Sequence, residues 1–230
     1  MRFALSILLA SVAAAQPAFE VTSVKPSEPG QPGMGTRNDP GMLILNNATL
    51  RFAIRFAFSI QDFQFAGAPK WVDADHFEIE GKCAEGVTFP QKLVMLQTLL
   101  ADRFQLKFHR ETREVPGYVL VPAKSGLKLS KTKTRDGPSG ASWGGTRVAG
   151  TNQTTAGLAS MLSTHLERPV IDEAGYKDRF DFRLDWTSTP EEPAPSLFSI
   201  IQEQLGLRLE SSKAPVEVLV IDSVSKPAEN

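Results

Sequence analysis

An α+β fold built from two similar lobes is what this sequence predicts. Three observations predict it: one pattern occurs twice along the chain, the segment that opens each copy has a 3.6-residue apolar period, and the segments that follow alternate apolar with polar residues. The first copy opens at Asn47-Ala48-Thr49 and the second at Asn152-Gln153-Thr154.

Taken in order, residues 19–25 read as a first strand, and the proline- and glycine-rich stretch 26–41 as a loop after it. Leu50, Ala53, Ile54, Ala57 and Phe58 draw one stripe of a helix, which Thr49 is placed to cap. Phe77-Glu78-Ile79-Glu80 alternates as a half-buried strand. A second helix begins near Pro90, where a missing amide hydrogen costs little, and runs through Leu99-Leu100 into the strand Phe104-Gln105-Leu106-Lys107-Phe108. Pro116 and Tyr118-Val119-Leu120-Val121 close the copy. In the second copy Leu158, Met161, Leu162 and Leu166 draw the helical stripe, and Phe180-Asp181-Phe182-Arg183-Leu184 alternates. A helix from near Pro195 stops at Gly206, Leu205-Gly206-Leu207-Arg208-Leu209 follows, and Pro215 with Val218-Leu219-Val220-Ile221 closes the chain. Each copy therefore predicts β-α-β-α-β-β, with helices packed on small, mostly antiparallel sheets.

The predicted organisation is a signal peptide at 1–15, a first lobe at 16–123, a basic, glycine-rich linker at 124–145 and a second lobe at 146–230. Arg2, the apolar run after it, and Ala13 and Ala15 fit a secretory leader cleaved after Ala15. That run is shorter than the about 20 residues a spanning helix needs, so no transmembrane segment is expected after cleavage, and the protein is expected to be secreted or periplasmic.

The 230-residue chain carries 25 Lys plus Arg against 26 Asp plus Glu, a formal charge of −1, so no overall field favours nucleic acid or an anionic membrane. One cysteine, Cys83, excludes an intrachain disulfide and a cysteine-rich zinc site. The three histidines, His76, His109 and His165, are too scattered for a metal signature. Strand alternation places Glu78 and Glu80 on one face, where a wet sheet surface is the simpler reading than a cation site. No cofactor and no metal are expected.

Gly140-Ala141-Ser142-Trp143-Gly144 satisfies the G-x-S-x-G pattern of a nucleophile elbow. That elbow needs a buried strand before the serine and a helix after it, whereas here a polar stretch precedes and a short strand follows. No catalytic residue is assigned; an enzyme would have to use Ser142 or Cys83 as its nucleophile. Phe63, Phe65 and Trp71 cluster around Gly67 and Pro69, and are the candidate ligand-binding residues: they line either an apolar groove or the lobe's own core.

The runs Phe19-Glu20-Val21-Thr22-Ser23-Val24-Lys25-Pro26, Gly67-Ala68-Pro69-Lys70-Trp71, Leu99-Leu100-Ala101-Asp102-Arg103-Phe104, His109-Arg110-Glu111-Thr112-Arg113-Glu114-Val115-Pro116 and Ala214-Pro215-Val216-Glu217-Val218-Leu219-Val220-Ile221-Asp222 resemble a secreted, Solibacter-type family of unknown function expanded in soil acidobacteria. The resemblance implies a secreted protein with no established activity. It also implies kinship with domains attached to membrane metallopeptidase sensors, whose H-E-x-x-H this chain lacks. More distantly, each N-x-T, helix, strand, helix, strand copy is similar to the short N-terminal docking module of secretins and TonB-dependent receptors.

The function expected from these readings is that of a non-catalytic extracytoplasmic module. It would bind a protein, a peptide or an envelope component, with the strand ending near Val121 or Ile221 as an edge for strand addition. The alternatives are a secreted hydrolase using Ser142 or Cys83, and a self-associating structural module.

Overall fold

The computed structural model describes residues 16–227 apart from positions 29, 32, 134–136, 145–146 and 186–195. The expected signal peptide and Pro195 lie outside the described residues.

The first half supplies strands β1 (Val21–Pro26), β2 (Gly35–Asp39) and β3 (Met42–Thr49), helix α1 (Leu50–Phe58), the two-residue β4 (Phe65–Ala66), α2 (Trp71–Ala74), β5 (His76–Lys82), α3 (Phe89–Arg103) and the long β6 (Lys107–Pro122). The second half follows with β7 (Ser130–Lys131), β8 (Gly140–Gly144), β9 (Arg147–Gln153), α4 (Thr155–Leu166), β10 (Val170–Asp172), β11 (Phe180–Asp185), α5 (Leu197–Ile200) and the long β12 (Leu207–Ser223). The mixture is α+β, as predicted. Among the described residues no helix is long and apolar enough to cross a membrane.

Three four-stranded sheets organise these elements, in the orders β1-β5-β3-β2, β10-β6-β12-β4 and β7-β11-β9-β8. The first and third have the same topology: the first strand of each set pairs with the fourth, the fourth with the third and the third with the second, antiparallel throughout. In the remaining sheet, strands of the two halves alternate. Ala123 N–H donates to the Gly206 carbonyl at one end, and His109 meets Asp222 at the other, so β6 and β12 run antiparallel.

Several expectations change at this level. The stretch 26–41 contains β2, which pairs with β3 across a turn at Pro40 and Gly41 (φ 69°). The turn residues had disguised a strand that the hairpin creates. The two strands expected to close each copy are one strand of 16 residues (β6) and one of 17 (β12), which run on through Pro116 and Pro215. Val121 and Ile221 therefore lie on inner strands of their sheet, and neither offers the edge expected of it. Of the stretch 124–145, the described residues include β7 and β8, the two edges of the third sheet.

The chain divides into two units. One comprises the described chain up to Ile60, Gly67–His109 and the described chain from Val220; its buried side chains include Leu45, Leu50, Ile54, Ile79, Leu100 and Phe104. The other comprises Gln61–Ala66 and Arg110–Leu219, and its core gathers Leu120, Val148, Leu158, Leu162, Phe180, Leu184 and Leu207. Of the predicted stripes, Leu50, Ala53, Ile54 and Ala57 on α1 and Leu158 and Leu162 on α4 are buried, while Phe58, Met161 and Leu166 are half-buried. The last helical segment ends at Gly206 (φ 63°), where a Cβ would lie 2.0 Å from the Gly126 carbonyl oxygen, so only glycine fits.

The turn from strand to helix is built the same way in both units. Asn47 (φ 47°) and Asn152 (φ 52°) occupy the left-handed region at register slips of β3 against β5 and of β9 against β11. The backbone N–H of Asn47 donates to Glu78 Oε1 at 2.8 Å, and that of Asn152 to Asp181 Oδ1 at 2.7 Å. Their side-chain amides reach back to the preceding loop, Asn47 to the Gln31 and Gly33 carbonyls and Asn152 to the Gly137 carbonyl at 2.6 Å. Their own carbonyls accept from His76 Nδ1 at 2.8 Å and from Arg179 Nη1 at 2.7 Å. A carbonyl only accepts, so Nδ1 is the protonated ring nitrogen of His76. Two residues on, Thr49 and Thr154 cap α1 and α4 by accepting from Phe52 and Gly157 N–H.

Asparagine is needed here for both its tolerance of positive φ and its amide. Asn152→Ala is expected to cost about 2 kcal/mol, combining left-handed strain with a lost buried hydrogen bond, and Asn152→Gly about 1 kcal/mol because only the bond is lost. Urea unfolding of the two variants checks this; equal stability of both with the parent would contradict the role assigned to the bulge.

Candidate functional site: the open edge of the third sheet

β8 pairs with β9 alone, Gly140 opposite Thr151, Ala141 opposite Gly150, Ser142 opposite Ala149, Trp143 opposite Val148 and Gly144 opposite Arg147. Alternation puts Ala141 and Trp143 on one face with the buried Val148 and Gly150, and Gly140, Ser142 and Gly144 on the other. The Trp143 indole stacks on the His165 imidazole of α4, with ring centroids 3.8 Å apart and planes 22° from parallel. This half-buried tryptophan is what fixes β8 to the helix layer.

The start of β8 is held by Gln153, whose Nε2 donates to the Gly140 carbonyl at 2.8 Å and to Ser139 Oγ at 3.0 Å. Gly150 beneath it admits no side chain: a Cβ there would meet the Phe182 ring at 2.4 Å. At the far end Arg147 donates to Asp185 Oδ1 at 2.6 Å, and Arg183 donates to the other carboxylate oxygen. Arg147 first and Arg183 second hold the Asp185 carboxyl below its ordinary value. Its pull on the end of β9 is therefore present above the ordinary aspartate range and is lost as pH falls through the lowered value.

The exposed side of this edge carries a shallow trough of about 240 Å³, lined by Gly140, Ala141, Ser142, Ala149, Gly150 and Thr151. Its walls are small and uncharged. The other sheet edges among the described residues are guarded or short. β1 ends in Lys25-Pro26, and β2 carries an Arg37–Asp39 ion pair at 2.7 Å. Lys131 sits on β7, β10 has three residues including Asp172, and β4 has two.

Ser142 thus lies in a hairpin strand, with β9 after it where an elbow needs a helix. The histidine nearest in sequence, His165, stacks on Trp143, whose side chain points to the opposite face from Ser142. Cys83, just past β5, is 8% exposed, and its N–H donates to the Gly41 carbonyl. The candidate aromatics separate. Phe63 lies in a short 3-10 turn and the buried Phe65 in β4, both in the second unit, while Trp71 opens α2 in the first unit beneath Lys226, whose ammonium is 5.7 Å from the ring centroid.

Glu78 and Glu80 differ in fate. Glu78 accepts from Ser27 Oγ and from the bulge N–H, and Glu80 is exposed. The carboxylate that answers Glu78 in the second unit is Asp181, an equivalence the sequence signals by an acid following each N-x-T asparagine at nearly the same distance. Among the described residues no group of three His, Cys, Asp or Glu side chains is placed to hold a metal ion. A second, polar hollow of about 350 Å³ lies in the first unit between Ser27, Glu28, Gly30, Gln31, Asn47 and His76. His109 is half exposed and bonds through Nδ1 to Asp222 Oδ1 at 2.7 Å.

Residues 51–224 match a protein family described as Protein of unknown function (DUF3738). Comparison with the curated proteins and with the solved structures finds no match.

The burial of Cys83 has a direct consequence. Iodoacetamide is expected to alkylate it at least about tenfold more slowly in the native protein than in urea, and a fluorophosphonate probe to leave Ser142 unlabelled. Peptide mass mapping reads both; rapid native labelling of either residue would restore the nucleophile reading.

Proposed function

The chain belongs to the DUF3738 family, and on that premise we propose that it is a non-catalytic extracytoplasmic docking module that takes up an extended segment of a protein or peptide along β8. The observation that carries this reading is β8 itself, a five-residue terminal strand with no charged residue and no proline, beside a trough of small side chains.

The physical case is strand addition. A strand at the end of a sheet has every second residue's N–H and C=O turned outward, and an incoming extended segment exchanges their water for backbone bonds worth about 0.5–1.5 kcal/mol each. Side chains of the incoming segment then alternate between the Trp143 face and the Ser142 face of the sheet. Because Ala141, Ser142, Ala149 and Gly150 leave that trough shallow, the segment that fits supplies the bulk, with β-branched or aromatic residues.

The apolar leader of residues 1–15 supports an extracytoplasmic site of action. Descent of both halves from one doubled unit accounts for the common strand order and for the paired asparagines. In that account β2 and β8 are counterparts that diverged: β2 acquired Arg37 and Asp39, and β8 stayed bare. Docking is therefore assigned to one half alone.

An array of extended peptides rich in β-branched residues, titrated with the labelled full chain, tests the proposal. A subset is expected to bind saturably, and Ala141→Lys and Ser142→Lys, one on each face of β8, are each expected to weaken that binding at least about tenfold with an unchanged far-UV spectrum. Equal binding by both lysine variants, or no saturable binding to any peptide at concentrations where the chain is monomeric, would overturn it.

A further inference from the structure

The register of β8 on β9 says more than that the edge is open. We propose that a second copy of this chain occupies it, the two β8 strands pairing antiparallel about a two-fold axis at Ser142 and joining two third sheets into one. This rests on the docking reading above and names its occupant.

With Ser142 opposite Ser142 of the other copy, Ala141 faces Trp143 and Gly140 faces Gly144, because an antiparallel pairing about residue 142 matches 141 with 143 and 140 with 144. Extending each row to the β9 partners gives Ala149–Ser142–Ser142–Ala149 at the axis, Gly150–Ala141–Trp143–Val148 on either side, and Thr151–Gly140–Gly144–Arg147 at the ends. Across the new seam no row sets a large side chain against another large one. Arg147 of one copy shares its row with Thr151 of the other, at the far end of it, so no two arginines share a row.

The large residue has a place to go. Ala141 is exposed although it lies on the same face as the buried Val148 and Gly150, because it is small and its neighbour Gly150 has no side chain. Trp143 of the other copy falls opposite it and would cover it, while its own ring stays on His165. On the other face Ser142 meets Ser142, flanked only by the small Ala149 of each copy. The strand is thus complementary to itself in size, in charge and in register. An unrelated segment would have to supply these properties separately.

Light scattering of the full chain across a roughly hundredfold dilution, combined with cysteine cross-linking, decides the matter. The mass is expected to approach twice that of the chain at high concentration and to fall to that of the chain on dilution, and Ser142→Lys is expected to stay monomeric throughout. Opposed residues of an antiparallel pair have Cα atoms about 4.5–5.5 Å apart, within disulfide range. Ser142→Cys is therefore expected to form a symmetric disulfide at least about tenfold faster than Ala141→Cys, whose thiol faces Trp143; the buried native Cys83 serves as the internal control in both.

A monomeric mass at every concentration with no preference for Ser142→Cys overturns the inference, and so does a dimer that persists in Ser142→Lys, since it uses another surface. Saturable binding of array peptides by a chain that stays monomeric would sink this inference and leave the docking reading standing. Loss of both would sink both.

Discussion

A left-handed asparagine at the end of a strand is the constraint on which the rest of each unit depends. Asn47 and Asn152 turn the chain out of β3 and β9 into α1 and α4, and the turn is possible only because three groups hold the residue at once. A carboxylate takes the N–H, the side-chain amide ties down the preceding loop, and a basic or imidazole N–H satisfies the carbonyl. The slip that the bulge introduces sets which residues of β3 and β9 face inward, and so which helix stripe they meet. In the second unit it also sets the register that reaches β8.

The sheet of long strands shows a different economy. Its order, β10-β6-β12-β4, alternates strands of the second and first halves, so each half lends a short strand to the long strand of the other. β6, of 16 residues, and β12, of 17, are the inner pair of that sheet. Toward one end that pair carries polar side-chain contacts instead of core, an ion pair of Arg110 with Glu217 and a hydrogen bond of His109 with Asp222. All of these groups are close to half exposed, so the pairs fix register more than they add stability.

What the sequence disclosed, and what it hid, follows from the range of each interaction. The stripe of Leu50, Ala53, Ile54 and Ala57 and the cap at Thr49 are local, and both were legible. So was the stop at Gly206. Strand β2 was hidden because its residues are polar and its flanks are rich in glycine and proline; only pairing with β3 makes it a strand. β8 was hidden for the same reason, inside a pattern that invited a nucleophile reading of Ser142. The division of Phe63 and Phe65 from Trp71 was also beyond reach, since nearness in sequence could not foretell a chain that passes from one unit to the other and back between Ile60 and Gly67. The roles of Glu78 and Asp181 were half visible: the acids could be seen, but not the backbone N–H that each receives.

The bareness of β8 gains its meaning from this scaffold. An uncharged edge is usually a liability, and here it is kept straight by a tryptophan stacked on α4, a glutamine at its start and an arginine–aspartate pair on its neighbour. All of that order traces back through β9 to the bulge. Amide hydrogen exchange resolved at single residues in Asp181→Ala and in the parent chain tests the dependence most directly. The account predicts slow exchange at Asn152 in the parent, and in the variant faster exchange spreading from Asn152 along β9 to Val148, with Leu45 and Ile54 unchanged. An Asn152 amide that exchanges freely in the parent, or a variant whose β9 exchanges as before, would contradict it.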